Sequence, residues 1–271
     1  MKQIKLMAIL NITPDSFSDG GLYQDQASVA KHLEHLLANN ADIIDIGATS
    51  TRPNSAQLTP KEEIERFKKI LPAIIPILKN SSVEISIDSY NFETLEYLSQ
   101  HIPINWVNDQ KGFIDERLID FAKKTKAKLV IMHHLTIPAD PSKYLAQELD
   151  AVEEVKTWLL KKAEHLINNG VEANKIVLDP GIGFGKTANQ SWQLIKQAKS
   201  FTKLDFPIMY GHSRKSFLNL ITNKEFIQRD LETAIISSYL ADAGIDYLRI
   251  HNVEATKQAL KIRDLIGEKN G

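Results

Sequence analysis

Eight short apolar runs recur along the chain, each followed by a polar turn and then by residues spaced for a helix. The runs cover residues 4–10, 42–46, 83–87, 104–107, 128–132, 175–178, 206–210 and 246–250. Helical spacing follows over 28–39, through Val29, Leu33, Leu36 and Leu37, and again over 92–99, 118–123, 146–169, from about 188, over 231–243 and over 253–266. A further helix opens at Thr59-Pro60-x-x-Glu63, with Thr59 as N-cap, Pro60 in the first turn and an acid near the positive end of the dipole. Strict strand–helix alternation dictates a parallel sheet with right-handed crossovers. Eight units in 271 residues, close to the usual ~250, predict an α/β fold of the TIM (β/α)8 type, one domain spanning 1–271. A doubly wound open sheet is the other architecture with this alternation.

The residues after the runs favour the barrel. Asn11, Asp88, Asn108, His133, Asp179 and His251 each follow an apolar run at its C-terminal side. A single polar residue there is an ordinary turn former. Six at one end converge on the barrel mouth, where such folds carry chemistry.

The densest signal is Asp179-Pro180-Gly181-Ile182-Gly183-Phe184-Gly185-Lys186. A phosphate-binding Walker loop would need glycine at 180 to match Gly185-Lys186-Thr187, and Pro180 stands there. The glycines at 181, 183 and 185 also miss the dinucleotide spacing. What remains is a carboxylate leaving a strand beside glycines that let a flat ligand approach the backbone.

Composition narrows the classes. The chain is 43% hydrophobic with a net charge of -1, which suits a full core and gives no nucleic-acid footprint. It contains no cysteine, so disulfides and cysteine nucleophiles are excluded. Met1-Lys2-Gln3 runs straight into the first strand with no room for a signal peptide, and no apolar run has the length of a membrane span. A soluble, cytoplasmic protein is expected.

Three groups of residues can share the mouth. Asp88, Asn108 and Asp179 suit a flat nitrogen heterocycle, since a carboxylate accepts two parallel N–H bonds from an amidine-like edge. Arg249 and His251, two residues apart on one strand face, with Asn11 and Arg52, suit a phosphate or diphosphate with Mg²⁺. Ser213-Arg214-Lys215-Ser216 before a helix suits a carboxylate. The plain alternatives are caps and turns, a salt bridge for Arg249, a core imidazole for His251 and a basic surface turn.

The run Asn11-Ile12-Thr13-Pro14-Asp15-Ser16-Phe17-Ser18-Asp19-Gly20-Gly21 resembles the first signature of the dihydropteroate synthase family. Ala41 to Ala48 with Ser50-Thr51-Arg52-Pro53 resembles the second, and Asp179 to Lys186, Ser213 to Ser216 and Arg249-Ile250-His251 are similar to later motifs. The resemblance implies condensation of a 7,8-dihydropterin-6-ylmethyl diphosphate with 4-aminobenzoate, releasing diphosphate. It implies a pterin site at Asp88, Asn108, Asp179 and Lys215. It places diphosphate at Asn11, Arg249, His251 and Arg52, with Mg²⁺ at Asn11. It puts 4-aminobenzoate at Thr51, Pro53, Phe184, Lys215 and Ser216, and the catalytic work on Lys215, Asp88, Asp179 and Arg249. Closing loops at 16–21 and 49–58, a homodimer and sulfonamide competition are further expectations from the family.

Three positions depart from the family pattern. Thr49 stands where the family usually has Glu, with an effect expected on loop two. Gln110 to Phe113 and His134 to Thr136 replace usual residues, and both are expected to reshape the pterin wall. Rival readings are a pterin-dependent methyltransferase domain, a Schiff-base aldolase using Lys215, and a non-catalytic pterin-binding paralogue. The first would need neither Ser213 to Ser216 nor the long first loop, and the second lacks a clear general acid.

Overall fold

The structure, a computed structural model, describes residues 4–12, 26–49 and 57–267. Its strands are β1 (Lys5–Asn11), β2 (Ile43–Gly47), β3 (Glu84–Asp88), β4 (Trp106–Asp109), β5 (Lys128–Met132), β6 (Ile176–Asp179), β7 (Met209–Tyr210) and β8 (Tyr247–Ile250). All pair in parallel, in the order β6-β5-β4-β3-β2-β1-β8-β7. A bridge between Leu178 and Ile208, with Leu178 N donating to Pro207 O at 2.9 Å, brings the ends of this order together. The result is a nearly closed barrel, as the alternation predicts, and the open sheet is excluded.

The period of two along each strand sorts the core. One set of buried residues is Met7, Ile43, Trp106, Val130, Val177, Met209 and Tyr247, which plug the barrel interior. The alternate residues (Leu6, Ile44, Val107, Ile131, Leu178, Leu248 among them) form the larger layer under the helices. Two residues beyond the plug, on the same strand faces, stand Asp45, Asn108, Met132, Asp179 and Arg249. The site is therefore the next interior layer above an apolar floor.

Helices α1 (Gln26–Ala38), α2 (Pro60–Lys79), α3 (Phe92–Ser99), α4 (Glu116–Thr125), α5 (Ala151–Asn168), α6 (Ala188–Lys196), α7 (Ala198–Phe201), α8 (Asp230–Asp242) and α9 (Val253–Gly267) connect the strands. α5 begins later than the expected 146, because the Asp150 carboxylate accepts from Val152 N and Glu153 N and stops the helix there. Strand β7 is only two residues long, not five: Asp205 has φ of 58°, Pro207 has no N–H, and Asp246 Oδ2 takes the Ile208 N–H. Asn108 and Asp109 lie inside β4 rather than after it. In α2 the capping acid is Glu62, whose carboxylate accepts from Thr59 N; Glu63 turns inward instead. No helix among the described residues is long and apolar enough to cross a membrane.

Candidate active site

The barrel mouth opens on a cavity of about 550 Å³. Of the predicted site residues, Asn11, Asp88, Asn108, Asp179, Phe184, Lys215, Ser216, Arg249 and His251 all line it. Register accounts for part of this convergence. Asn11 pairs with Gly47, Gly47 with Asp88, Asp88 with Asn108, and Met132 with Asp179. Glycine at 47 makes room, since a side chain there would start 3.2 Å from Asp88 Cβ. Thr51, Arg52 and Pro53 lie outside the described residues, as do loop one at 16–21 and most of loop two.

Two electrostatic groups divide the cavity. On the β2–β3–β8 side, Arg249 Nε donates to Asp45 Oδ2 at 2.6 Å, and its Nη2 donates to Asp88 Oδ2 at 2.7 Å. Asn108 Nδ2 donates to Asp45 Oδ2 at 3.2 Å, and Gln110 Nε2 donates to both Asp88 oxygens, at 2.7 and 2.9 Å. Burial pushes the Asp88 carboxyl up to about 7, against the pull of Arg249 and with the Asp45 charge adding to the rise.

On β6, three strands from Asp88 on β3 and two from Arg249 on β8, Asp179 Oδ1 accepts from Gly181 N at 2.8 Å. A side chain at Gly211 would start 3.3 Å from Asp179 Oδ2 and 3.9 Å from Lys215 Nζ, so glycine keeps this pair accessible. Lys215 Nζ donates to Ile182 O at 2.6 Å and sits 4.5 Å from the centre of the Phe184 ring. Burial brings the Lys215 ammonium down to about 8, with Asp179 opposing the fall. Burial also raises Asp179, while Lys215 lowers it.

The loop after β7 is shaped by Arg214, at φ of 60° and held by Asp230 through Nε at 2.5 Å and Nη2 at 2.8 Å. It leads into a short 3-10 turn, Ser216–Leu220, rather than the expected α-helix. Ser213 Oγ is 2.9 Å from His251 Nδ1, which ties β8 to this loop.

His133 is the strand-end residue that does not reach the cavity. Its ring is buried against Trp158, 5.0 Å between centres, with Nδ1 2.7 Å from Lys186 Nζ, and burial holds it neutral. The departures at 134–136 likewise leave the cavity alone. The His134 ring packs on Trp158, a side chain at Gly185 would collide with Leu135, and Thr136 Oγ1 takes the Asp140 N–H. Among 110–113 only Gln110 lines the cavity.

Sequence reasoning assigned no role to Asp45 or Lys186 and read Glu63 only as an acid at a helix start. Asp45 had a readable signal, a carboxylate inside the run Ile43-Ile44-Asp45-Ile46. Glu63 is fully buried and accepts from Thr49 Oγ1 at 3.2 Å, Ser89 Oγ at 2.9 Å, Asn91 Nδ2 at 2.8 Å and Thr94 Oγ1 at 2.6 Å. It joins the start of loop two to the turn after Asp88. Thr49 therefore meets a carboxylate supplied by α2.

Because folded Asp88 retains its proton up to about 7, it binds a proton that the unfolded chain has already released above about 4. Asp88 by itself therefore withdraws stability as pH rises through that window. Asp109, raised by burial to about 6, contributes with the same sign. His133 and His212, both held neutral by burial, act with the opposite sign. Urea midpoints of wild type and Asp88→Asn at pH 5.5 and 7.5 isolate the Asp88 share: between the two pH values the wild type will lose more stability, or gain less, than the variant.

Residues 7–251 match the family described as pterin binding enzyme. The Escherichia coli dihydropteroate synthase type-3 is 32% identical, over 97% of this chain and 99% of that protein. The chain belongs to the dihydropteroate synthase family. A dihydropteroate synthase structure from Anaplasma phagocytophilum, with bound 6-hydroxymethylpterin-monophosphate, is 37% identical with a TM-score of 0.87, over 97% of this chain and 99% of that one. The folate synthesis bifunctional protein of Chlamydia trachomatis is 36% identical over 94% of this chain, which spans 58% of that relative's length.

Proposed function

We propose that this chain is a transferase of folate biosynthesis, a dihydropteroate synthase joining 7,8-dihydropterin-6-ylmethyl diphosphate to 4-aminobenzoate. The observation that carries the reading is one cavity with two buried carboxylates, Asp88 and Asp179, on opposite walls, and Lys215, Arg249 and His251 around them. Asp179 accepts the amidine edge of the pterin, Lys215 and Asn108 flank the ring, and Asp88 closes the far wall. Asn11, His251 and Arg249, with Arg52, face the diphosphate, whose departing charge they stabilise. As the C–O bond breaks, the methylene carbon becomes cationic, and ionised Asp88 and Asp179 favour that charge. The amine nitrogen of 4-aminobenzoate then forms the new bond and gives up a proton. Phe184, Lys215 and Ser216, with Thr51 and Pro53, hold its ring and carboxylate. No protein nucleophile is needed.

Among the described residues no group of three His, Cys, Asp or Glu side chains could hold a metal. Asn11 offers one hard oxygen, which fits a Mg²⁺ ion carried in on the diphosphate and otherwise bound by phosphate oxygens and water. When bound, Mg²⁺ offsets charge on the leaving diphosphate.

A cytoplasmic homodimer is part of the same reading. α8 is apolar on two faces: Ala234, Ile236 and Leu240 are buried, while Leu231, Ile235 and Tyr239 are exposed at a spacing of four, beside exposed Ile262, Leu265 and Ile266 of α9. Sedimentation will give the mass of two chains for the wild type and one for Ile235→Asp; a wild-type monomer removes the dimer.

The deciding experiment is diphosphate release from the pterin diphosphate with Mg²⁺, with and without 4-aminobenzoate. Release that requires 4-aminobenzoate and is lost in Lys215→Ala supports the synthase. Binding without release leaves a non-catalytic pterin-binding protein, which the grip of Gln110 on Asp88 favours.

A further inference from the structure

Gln110 departs from the family pattern and sits where it touches the site chemistry. It lies just after β4, is 5% exposed and lines the cavity. Its Nε2 is committed to both Asp88 oxygens. Its Oε1 is buried and has no hydrogen-bond partner among the described residues. A buried amide carbonyl without a donor is an unusual cost. It is removed when a ligand brings an N–H to it.

The amide cannot turn over to remove that cost. A flip would set Oε1 against both oxygens of Asp88, which also accepts from Arg249. Above about pH 7 Asp88 is ionised, and the carboxylate then fixes the amide with its donor inward and its acceptor free.

The ligand that matches follows from the two walls. This step rests on the pterin reading above. A pterin has an amidine-like edge, with an N–H and an amino group in both oxidation states, and that edge matches the Asp179 carboxylate. Across the bicycle, the reduced 7,8-dihydro ring carries one more ring N–H. The fully oxidised ring carries a lone pair at the same nitrogen. Asp179 is on β6 and Asp88 with Gln110 stands at β3 and β4, across the mouth. On that far wall Asp88 is already engaged by Gln110 and Arg249, and the open acceptor is Gln110 Oε1.

We propose that Gln110 is a specificity-determining residue: its Oε1 accepts the ring N–H of the dihydropterin, and the pocket thereby prefers the reduced ring over the oxidised one. The oxidised ring meets Oε1 lone pair to lone pair and leaves it unpaired, so rejection is stronger than the loss of one bond.

The test is calorimetric titration, under anaerobic reducing conditions, of 6-hydroxymethyl-7,8-dihydropterin and of 6-hydroxymethylpterin into wild type, Gln110→Met and Gln110→Glu. Wild type will prefer the dihydro form by about tenfold or more. Gln110→Met, apolar and of similar length, will lose about tenfold for the dihydro form and less than about twofold for the oxidised form, so the preference collapses. Gln110→Glu sets a carboxylate oxygen where Nε2 faced Asp88, so the two carboxyls must share one proton; the other Glu oxygen remains an acceptor and will keep the preference even where both affinities fall, and this variant carries the test if the Met variant does not fold. Equal losses for the two rings in Gln110→Met would mean that Gln110 only steadies Asp88, and that overturns the proposal. An unchanged ratio overturns it as well. A wild type that binds neither ring sinks the pterin reading itself, an outcome distinct from binding without preference.

Discussion

Asp179→Asn will lower kcat/KM by about a thousandfold or more while leaving the melting temperature unchanged or raised. The carboxylate is buried, with Oδ1 occupied by Gly181 N and the Lys215 charge drawing its proton affinity down. Burial raises its proton affinity, so the ionised form is held at a cost to the fold. An isosteric amide removes that cost. It also places an NH₂ donor, or at best a single neutral acceptor, where two N–H groups of the heterocycle need acceptors. Losing a charge-assisted pair and setting donor against donor amounts to roughly 4 kcal/mol, which is about three decades in kcat/KM. Lys215 loses its nearest counter-charge in the same variant, so its ammonium will fall further below about 8. Steady-state kinetics and a thermal melt on the same preparation separate the two effects. Activity within tenfold of wild type would remove Asp179 from the pterin site.

The contrast between fold and function at Asp179 also shows what a linear sequence can carry. Strand alternation and the polar residue after each apolar run are local patterns, and they predicted the barrel and placed Asn11, Asp88, Asn108, Asp179 and His251 at one cavity. His133 follows the same local rule and fails it. Its partner, Lys186, is 53 residues away, and the pairing turns the ring out of the mouth. Asp45 and Arg249 are separated by 204 residues and meet only because β2 and β8 both flank β1 in the closed sheet. Glu63 reads as one of several acids in a first turn; its burial depends on three donors, Ser89 and Asn91 of the β3–α3 turn and Thr94 of α3. The boundary errors have the same origin. The apolar run at 206–210 has strand character, but Asp205 and Pro207 limit the ladder to two residues.

Lys186→Met will destabilise the protein by about 3 kcal/mol or more, lowering the melting temperature by roughly 6–12 °C. Lys186 is 3% exposed and lies within the glycine loop that follows Asp179. Its Nζ meets Gly181 O at 2.8 Å, Phe184 O at 2.9 Å and His133 O at 3.0 Å, with His133 Nδ1 at 2.7 Å. An ammonium has three hydrogens, enough for the three carbonyls. Burial drives its proton affinity well down, Asp179 resists, and Lys215 adds to the fall. Methionine fills much the same volume and supplies no donor, so three carbonyls inside the loop lose their partner together. The loop cannot simply reclose, because Gly181, at φ of 67°, passes so near His133 that a Cβ there would lie 1.9 Å from its carbonyl oxygen. Ile182 O, which accepts from Lys215, and Phe184, which lies against Lys215, ride on the same loop. Turnover will therefore fall along with stability, unlike in Asp179→Asn, where the two separate. A thermal melt of Lys186→Met within 2 °C of wild type would show that the loop is held by its glycines and packing, and that the buried lysine is not its fastening.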